Sequence, residues 1–221
     1  MARRSVDPSM RMGLLEAGAR LLSSEGPAAL STRRVAAEAG TSTMSVYTHF
    51  GSMPDLVAAI VEEGFTRLGT ALALVPQTDD AILDLAEAAR AYRTNALDNP
   101  ELYSVMFGSA SLGGYRPESA DIAAAGLHTF EMLVSLADRA IEAGRLDPAD
   151  PHLVASQLWS ALHGFLLLEI AGHFGTNGNA EELILTPLLL NLIVGLGADR
   201  DATIASAMDK TPTERVESNG G

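Results

Sequence analysis

Hydrophobic residues recur at helical spacing in several separate stretches of the chain, and no stretch shows the sustained alternation of a β-strand. The first stripe lies between about Ser9 and Ser24 and consists of Leu14, Leu15, Gly18, Leu21 and Leu22. Gly26–Pro27 ends this helix, because both residues interrupt helical structure. Further helical patterns cover residues 54–73, 79–97, 101–107, 118–143, 151–172 and 179–197. The pattern therefore predicts an all-α fold.

Residues 31–50 predict two short helices joined by a tight corner. Ser31 is a favourable N-cap for the first helix, and Gly40 stands where a left-handed C-cap residue is needed. In the second helix Val46 and Phe50 lie four residues apart, so that one face is anchored in a core. This is the arrangement of a helix-turn-helix, which places its second helix in the major groove of DNA. The spacing alone also fits an ordinary corner between two packed helices.

Residues 10–57 resemble the N-terminal domain of the tetracycline-repressor (TetR) family of transcriptional regulators. The resemblance rests on the first-helix stripe and on Gly26, Ser31–Thr32, Val35–Ala36, Ala39–Gly40, Ser42, Val46–Tyr47, His49–Phe50 and Leu56. It implies a three-helix DNA-binding domain over residues 1–52, followed by a larger helical ligand-binding and dimerisation domain over residues 53–198. Residues 199–221 are polar with little periodicity and are predicted to form a flexible tail. The chain departs from the family at Met53, where a lysine that reaches a DNA phosphate is usual.

The exposed face of the second helix in the corner is the predicted DNA-contacting surface. The predicted contacts to base edges come from Thr43, Met44 and Tyr47. The predicted contacts to phosphates, which position a protein without reading the sequence, come from Ser45, Thr48 and His49, together with the arginines of the preceding helix, Arg33 and Arg34. His49 also fits a purely structural role as a cap. Residues 1–8 carry Arg3 and Arg4 and form either a mobile DNA-contacting arm or a disordered tail.

The charge of the chain is distributed unevenly. A net charge of −13 argues against nucleic-acid binding by the chain as a whole. However, residues 1–51 hold six arginines and four acidic residues, whereas the remainder has a net charge of −15. An acidic body repels the duplex while a slightly basic N-terminal part faces it. A chance distribution of solvated charges is the alternative interpretation.

Two stretches near the C-terminus, residues 153–168 and 183–198, contain no charged residue. Both are shorter than the roughly 20 residues that a membrane-spanning helix needs, so we interpret them as helices buried on more than one side. One chain cannot cover so much apolar surface, and a partner is expected to cover the rest. The family resemblance implies that this partner is a second copy, paired through the last two long helices. Such a homodimer presents its recognition helices about 34–36 Å apart, one turn of DNA.

A candidate small-molecule site lies in the larger C-terminal part. Its predicted lining residues come from different helices and are mostly apolar, as is usual for a ligand cavity: Tyr103, Met106, Phe107, Phe130, Trp159, Leu162 and His163. The alternative is that these side chains are ordinary core, with His163 satisfied by a neighbouring carbonyl. The segment from Trp159 to Gly164 also resembles a tryptophan–histidine–glycine signature found in one branch of TetR C-terminal domains. The resemblance implies a small apolar effector of unknown identity.

Catalytic and metal-binding signatures are not found in the sequence. No nucleophile–base–acid set, glycine-rich phosphate loop or Gly-X-Ser-X-Gly pattern is present. Glu169 and His173 share a helix face, but His163 lies nearly three turns away, which makes a poor zinc site. We therefore predict no catalysis, no metal and no cofactor. An all-helical enzyme and a helical protein-interaction module are the alternatives.

The sequence thus predicts a sequence-specific DNA-binding regulator, a repressor that leaves its operator when a small apolar effector binds. The absence of cysteine and of an apolar N-terminal signal segment predicts a cytoplasmic protein without a membrane partner. The helix over residues 54–73 is predicted to be the only mechanical link between the DNA-binding and ligand-binding parts.

Overall fold

A computed structural model describes residues 7–107, 120–175 and 178–208 of the chain. Arg3 and Arg4 of the predicted arm, and the loop predicted at residues 108–118, lie outside the described residues. The described residues are mainly helical and contain no strand, which confirms the all-α prediction. The helices are α1 (Pro8–Glu25), α2 (Thr32–Glu38), α3 (Thr43–Phe50), α4 (Met53–Ala73), α5 (Ala81–Asp98), α6 (Pro100–Met106), α7 (Ala120–Glu142), α8 (Pro151–Ile170), α9 (Thr186–Gly195) and α10 (Arg200–Met208).

The chain divides into two compact units. The first consists of residues 1–70 and 95–129, and the second consists of residues 71–94 and 130–221. The long helices α4, α5 and α7 therefore contribute residues to both units. The boundary predicted at residue 52, between the DNA-binding and ligand-binding domains, does not coincide with a boundary of these compact units. As a division between two functions it stays a prediction.

The first unit has one apolar core, to which α1, α2, α3, α4 and α6 all contribute. Gly18 of α1 lets α4 approach closely, because a Cβ there would lie 2.7 Å from Ile60 Cδ1. Helix α6 packs against α1, and its Leu102 and Val105 belong to the same core. The prediction that α4 alone links the N-terminal helices to the rest is therefore wrong. The sequence did not reveal this second connection, because a seven-residue helix carries too short a pattern to identify its partner.

The second unit has its own core, formed by α5, α7, α8 and α9 with the residues that follow α7 and α9. A buried carboxylate, that of Asp84, accepts hydrogen bonds from the amide and hydroxyl groups of Thr78 and from the guanidinium of Arg139 (2.6 Å). Helix α8 is long and apolar enough to cross a membrane by length and composition alone. Core helices of soluble proteins share that property, and 33% of the most apolar 18-residue stretch of α8 is buried.

Two C-terminal predictions differ from the structure. The helix predicted over residues 179–197 begins instead as a π-helical turn, Glu181–Leu185, before α9 starts. Pro187 explains the change, because it has no amide to donate and its ring collides with the carbonyl four residues earlier in a regular helix. The predicted tail is wrong over Arg200–Met208, which forms α10; residues 209–221 lie outside the described residues.

Helix α10 is held by polar contacts with distant residues. The hydroxyl of Ser206, which is buried, donates to Asp80 Oδ2 (2.5 Å) and accepts from Arg145 Nη2 (3.0 Å). The carboxylate of Asp199 caps the first turn by accepting from the amide of Ala202 (2.8 Å). The local cap and the long-range bonds of Ser206 together explain why a segment with weak apolar periodicity is helical.

Candidate nucleic-acid interface

The corner between α2 and α3 is built by local caps. Ser31 Oγ accepts from the amide of Arg34 (3.3 Å), and Ser42 Oγ accepts from the amide of Ser45 (3.3 Å). Gly40 adopts φ 64°, and the amides of Gly40 and the next residue donate back to carbonyls of α2 (3.1 and 2.8 Å). This is a Schellman ending, which glycine adopts without the strain of a Cβ. The N-cap predicted at Ser31, the C-cap predicted at Gly40 and the corner between the two helices are confirmed.

Helix α3 has one buried face and one exposed face. Val46 and Phe50 are buried in the core of the first unit, with exposed fractions of 1% and 9%. On the other side Met44 is 70% exposed and Tyr47 is 53% exposed, and Thr43 is exposed as well. The side chains predicted to touch bases therefore face solvent, where a duplex can reach them.

Most hydroxyl groups of α3 lie within hydrogen-bonding distance of other protein groups. Ser45 Oγ lies 2.9 Å from Thr41 Oγ1, and Thr48 Oγ1 donates to the carbonyl of Met44 (2.8 Å). Tyr47 Oη lies 3.4 Å from Thr32 Oγ1, so α2 holds the far end of the exposed ring through a weak contact. The phosphate contacts predicted for Ser45 and Thr48 stay predictions.

His49 is half-buried at the end of α3. Its Nδ1 is shielded from solvent and has no hydrogen-bond partner among the described residues. Its ring centroid lies 6.3 Å from that of Phe50, over which the guanidinium of Arg11 also stands, at 5.3 Å. The structure thus places His49 at the junction of α3 with the start of α1. Its predicted phosphate contact, like its alternative capping role, stays a prediction.

The arginines near the corner differ in whether they are paired. Arg34 binds both carboxylate oxygens of Glu25 (2.8 and 2.5 Å), which lowers the pKa of Glu25 and raises that of Arg34. Arg20 pairs with Glu38 at 3.2 Å. Arg33 is exposed and forms no ion pair with the described residues. Its side chain is therefore accessible to a phosphate, whereas that of Arg34 is engaged by Glu25. The phosphate contacts predicted for both arginines stay predictions.

The predicted ligand-binding residues fall into two groups, one in each unit. In the first unit the rings of Tyr103 and Phe107 lie 4.8 Å apart, and Phe65 of α4 lies 5.8 Å from Phe107. Met106 packs over Gly64, where a Cβ would overlap its thioether. Phe65 was not among the predicted lining residues. Its place in the apolar stripe of α4 did not indicate which aromatic ring it meets.

The second group lies in the second unit. Trp159 stacks on His163 (5.2 Å between centroids) and meets Phe130 edge-on (6.2 Å), while its Nε1 donates to Tyr92 Oη (3.2 Å). Burial lowers the pKa of His163 from its ordinary value, because it disfavours the charged imidazolium. Leu162, the remaining member, is buried. That these two groups of residues line one cavity stays a prediction.

The carboxylate considered as a metal ligand is engaged elsewhere. Both oxygens of Glu169 accept from Arg93 (2.7 and 3.0 Å), and Arg93 also pairs with Glu181 (2.6 Å). This cluster joins α5 and α8 to the π-helical turn, and its effect is to raise the pKa of Arg93. Within residues 7–107, 120–175 and 178–208 no group of three or more potential ligands is placed to hold a metal ion.

The geometry of α2 and α3 defines a helix-turn-helix protein, and comparison with known proteins gives the family. The model described as "Bacterial regulatory proteins, tetR family" matches residues 14–60, and the one described as "Tetracyclin repressor-like, C-terminal domain" matches residues 85–186. The HTH-type transcriptional regulator Rv0681 of Mycobacterium tuberculosis, itself uncharacterised, is 31% identical over 194 residues, which cover 84% of this chain and 81% of the relative.

Solved structures show the same fold. A protein of unknown function from Rhodococcus sp. RHA1 is 27% identical, with a TM-score of 0.70 over 88% of this chain and 99% of its own. The TetR family regulator PfmR from Thermus thermophilus has a TM-score of 0.68 at 22% identity, over 84% of this chain and 99% of its own. The chain belongs to the TetR family and is a DNA-binding transcriptional regulator.

Proposed function

We propose that this regulator is a cytoplasmic, non-enzymatic repressor that binds its operator as a homodimer and leaves it when a small apolar effector binds. The observation that carries the proposal is the exposed face of α3. Thr43, Met44 and Tyr47 are exposed on α3, whereas its anchors Val46 and Phe50 are buried. Side chains so placed can touch base edges when α3 lies in the major groove. Arg33 of α2, which forms no ion pair with the described residues, is suited to hold an adjacent phosphate.

The surface of α8, of the π-helical turn and of α9 supports a dimer. Large apolar side chains stay exposed there, with 46% of Leu168 in α8, 63% of Leu183 in the π-helical turn and 40% of Leu188 in α9 open to solvent. Burying them against a second copy removes this apolar area from water, and symmetric dimers are the commonest oligomers. A twofold axis also gives two recognition helices, which suits a palindromic operator.

The contact between α6 and α1 offers a route by which an effector can act on DNA binding. Helix α6 carries two candidate ligand-binding residues, Tyr103 and Met106, and it packs against the first helix of the DNA-binding part. An effector that prefers a displaced α6 would therefore move α1 and the helix-turn-helix with it. This works only if the effector binds the two conformations with different affinity.

A mobility-shift titration with the DNA that flanks the gene tests the proposal. We expect a specific shift at nanomolar protein, and an affinity that falls steeply as salt rises, because phosphate contacts release counterions. Failure to shift any duplex would support a helical interaction module instead.

Sedimentation tests the dimer separately. The wild type should sediment as a dimer at micromolar concentration, and Leu168→Glu should shift it toward monomer, because the new carboxylate would be buried unpaired. Leu74→Glu is the matched control, since Leu74 is 77% exposed outside α8 and α9. A wild type that is monomeric throughout would refute this part of the proposal. A thermal-shift screen of apolar metabolites then searches for the effector.

A further inference from the structure

We propose that α3 recognises its operator mainly through the methyl groups of thymine, and that Met44 is the residue that determines this specificity. The inference rests on the proposed contact between α3 and the major groove, and it adds the chemical class of base that is read. It depends on which side chains the exposed face carries and on which of their polar groups are already bonded.

Helix α3 lacks the side chains that make paired hydrogen bonds to bases. Its eight residues, TMSVYTHF, include no arginine, lysine, asparagine, glutamine, aspartate or glutamate. Guanine is usually read by arginine or lysine, adenine by asparagine or glutamine, and cytosine by a carboxylate. None of these three kinds of readout is available to α3.

The hydroxyl groups of Ser45, Tyr47 and Thr48 on α3 already have partners, whereas His49 Nδ1 has none but is shielded from solvent. The hydroxyls of Ser45 and Thr48 bond to Thr41 and to the carbonyl of Met44, and Tyr47 Oη lies near Thr32 Oγ1. They can still meet water or phosphate, but each would first give up or share a bond that it already has. Hydrogen-bond readout by these residues is therefore disfavoured relative to apolar contact.

Met44 supplies the apolar contact. It is 70% exposed, on the face opposite the buried Val46 and Phe50. A thioether side chain pressed into the major groove loses water without gaining a hydrogen bond, so it needs an apolar partner. The C5-methyl group of thymine is the apolar group that the major groove presents. The exposed Thr43 beside it adds a further methyl group to the same face.

Arg33 is the competing reader. It is exposed and unpaired among the described residues, and a guanidinium can bind guanine as well as phosphate. It lies on α2 rather than on α3, directly after Thr32, the first residue of that helix. If Arg33 rather than Met44 sets the specificity, guanine instead of thymine will dominate the half-site.

The test starts by selecting the operator from random duplexes with the full-length protein. Each thymine of the selected half-site is then replaced singly by deoxyuridine, which removes the methyl group and keeps every hydrogen-bonding group. We expect at least one replacement to weaken binding about fourfold, since one buried methyl-sized group contributes about that factor. Met44→Ala should bind the thymine site more weakly and lose this sensitivity. Leu74→Ala, at another highly exposed apolar position, should keep it.

Three results would overturn the inference. Met44 does not read a methyl group if deoxyuridine leaves binding unchanged at every position. The same conclusion follows if deoxyuridine weakens binding equally in Met44→Ala and in the wild type. A half-site dominated by guanine, whose preference is lost in Arg33→Ala, would assign the specificity to α2. In these cases operator binding itself persists, so the proposed function stands. Absence of specific binding to any duplex would remove both, and that outcome is distinct.

Discussion

Replacing Arg67 by methionine should destabilise the first unit, because this one side chain joins three of its helices. From α4 its guanidinium donates to Glu63 on the same helix (2.8 Å) and to Asn99, the N-cap of α6 (2.6 Å). It also lies 3.1 Å from the thioether of Met12 and 3.4 Å from Glu16, both on α1. Methionine keeps the apolar stem and removes every one of these polar contacts.

The expected cost follows from the two short hydrogen bonds. A hydrogen bond to a charged group contributes about 1.5–3 kcal/mol when shielded, and less when solvent screens it. Arg67 is 29% exposed and Glu63 is 17% exposed, so we discount each bond by roughly half. The sum is about 1.5–3 kcal/mol in the free energy of unfolding. For a chain of this size that corresponds to a fall in Tm of roughly 3–12 °C.

Urea denaturation and thermal melting at one fixed protein concentration measure this loss. Glu16→Gln is the matched control, because its carboxylate is 47% exposed and lies at the longest of the four distances. It should change the free energy of unfolding by less than about 0.5 kcal/mol. The reasoning is refuted if Arg67→Met falls within that same range, or if Glu16→Gln is equally costly.

Other predictions concern the second unit. Arg139→Met should lower the free energy of unfolding by about 3 kcal/mol in urea denaturation, because Asp84, only 1% exposed, loses its cation; a cost below 1 kcal/mol would contradict this. Burial acts to raise the pKa of Asp80, but hydrogen bonds from Ser206 and two amides, with a nearby arginine, hold it below 3.8. The stability that the Asp80 carboxylate contributes is therefore present above about pH 4 and lost as pH falls further. In Asp80→Asn the free energy of unfolding should fall less steeply with pH below about 4 than in the wild type, and an equally steep fall would contradict this. Burial lowers the pKa of His163 from 6.5, so the unfolded chain takes up a proton more readily than the folded one as pH falls below 6.5, and the protein loses stability. In thermal melts between pH 7 and pH 5 the Tm of His163→Gln should therefore fall less than that of the wild type.

The helix-turn-helix could be predicted from the sequence because its determinants are local. The caps Ser31 and Ser42, the left-handed Gly40 and the anchors Val46 and Phe50 all act within one or two helical turns. Local rules of capping and periodicity therefore identify both the elements and the face that is exposed.

The features that sequence analysis missed depend on contacts between distant residues. Helix α10 is tied to the start of α5 through Ser206 and Asp80, which are 126 positions apart. Arg67 reaches Met12 across 55 positions, and Trp159 reaches Tyr92 across 67. Periodicity shows that a residue belongs to a buried face, but it does not show which side chain it meets there. The same limit applies to the predicted ligand-binding residues, which are divided between two units.

The central claim is that the exposed face of α3 recognises DNA, and one measurement tests it most directly. Fluorescence anisotropy titrations compare the wild type, Tyr47→Ala and Leu74→Ala on the selected operator and on a scrambled duplex, at one salt concentration. We predict that Tyr47→Ala loses about 1–3 kcal/mol of operator affinity with unchanged binding to the scrambled duplex and an unchanged melting curve, while Leu74→Ala binds like the wild type. Operator affinity that is the same in all three proteins would contradict the account.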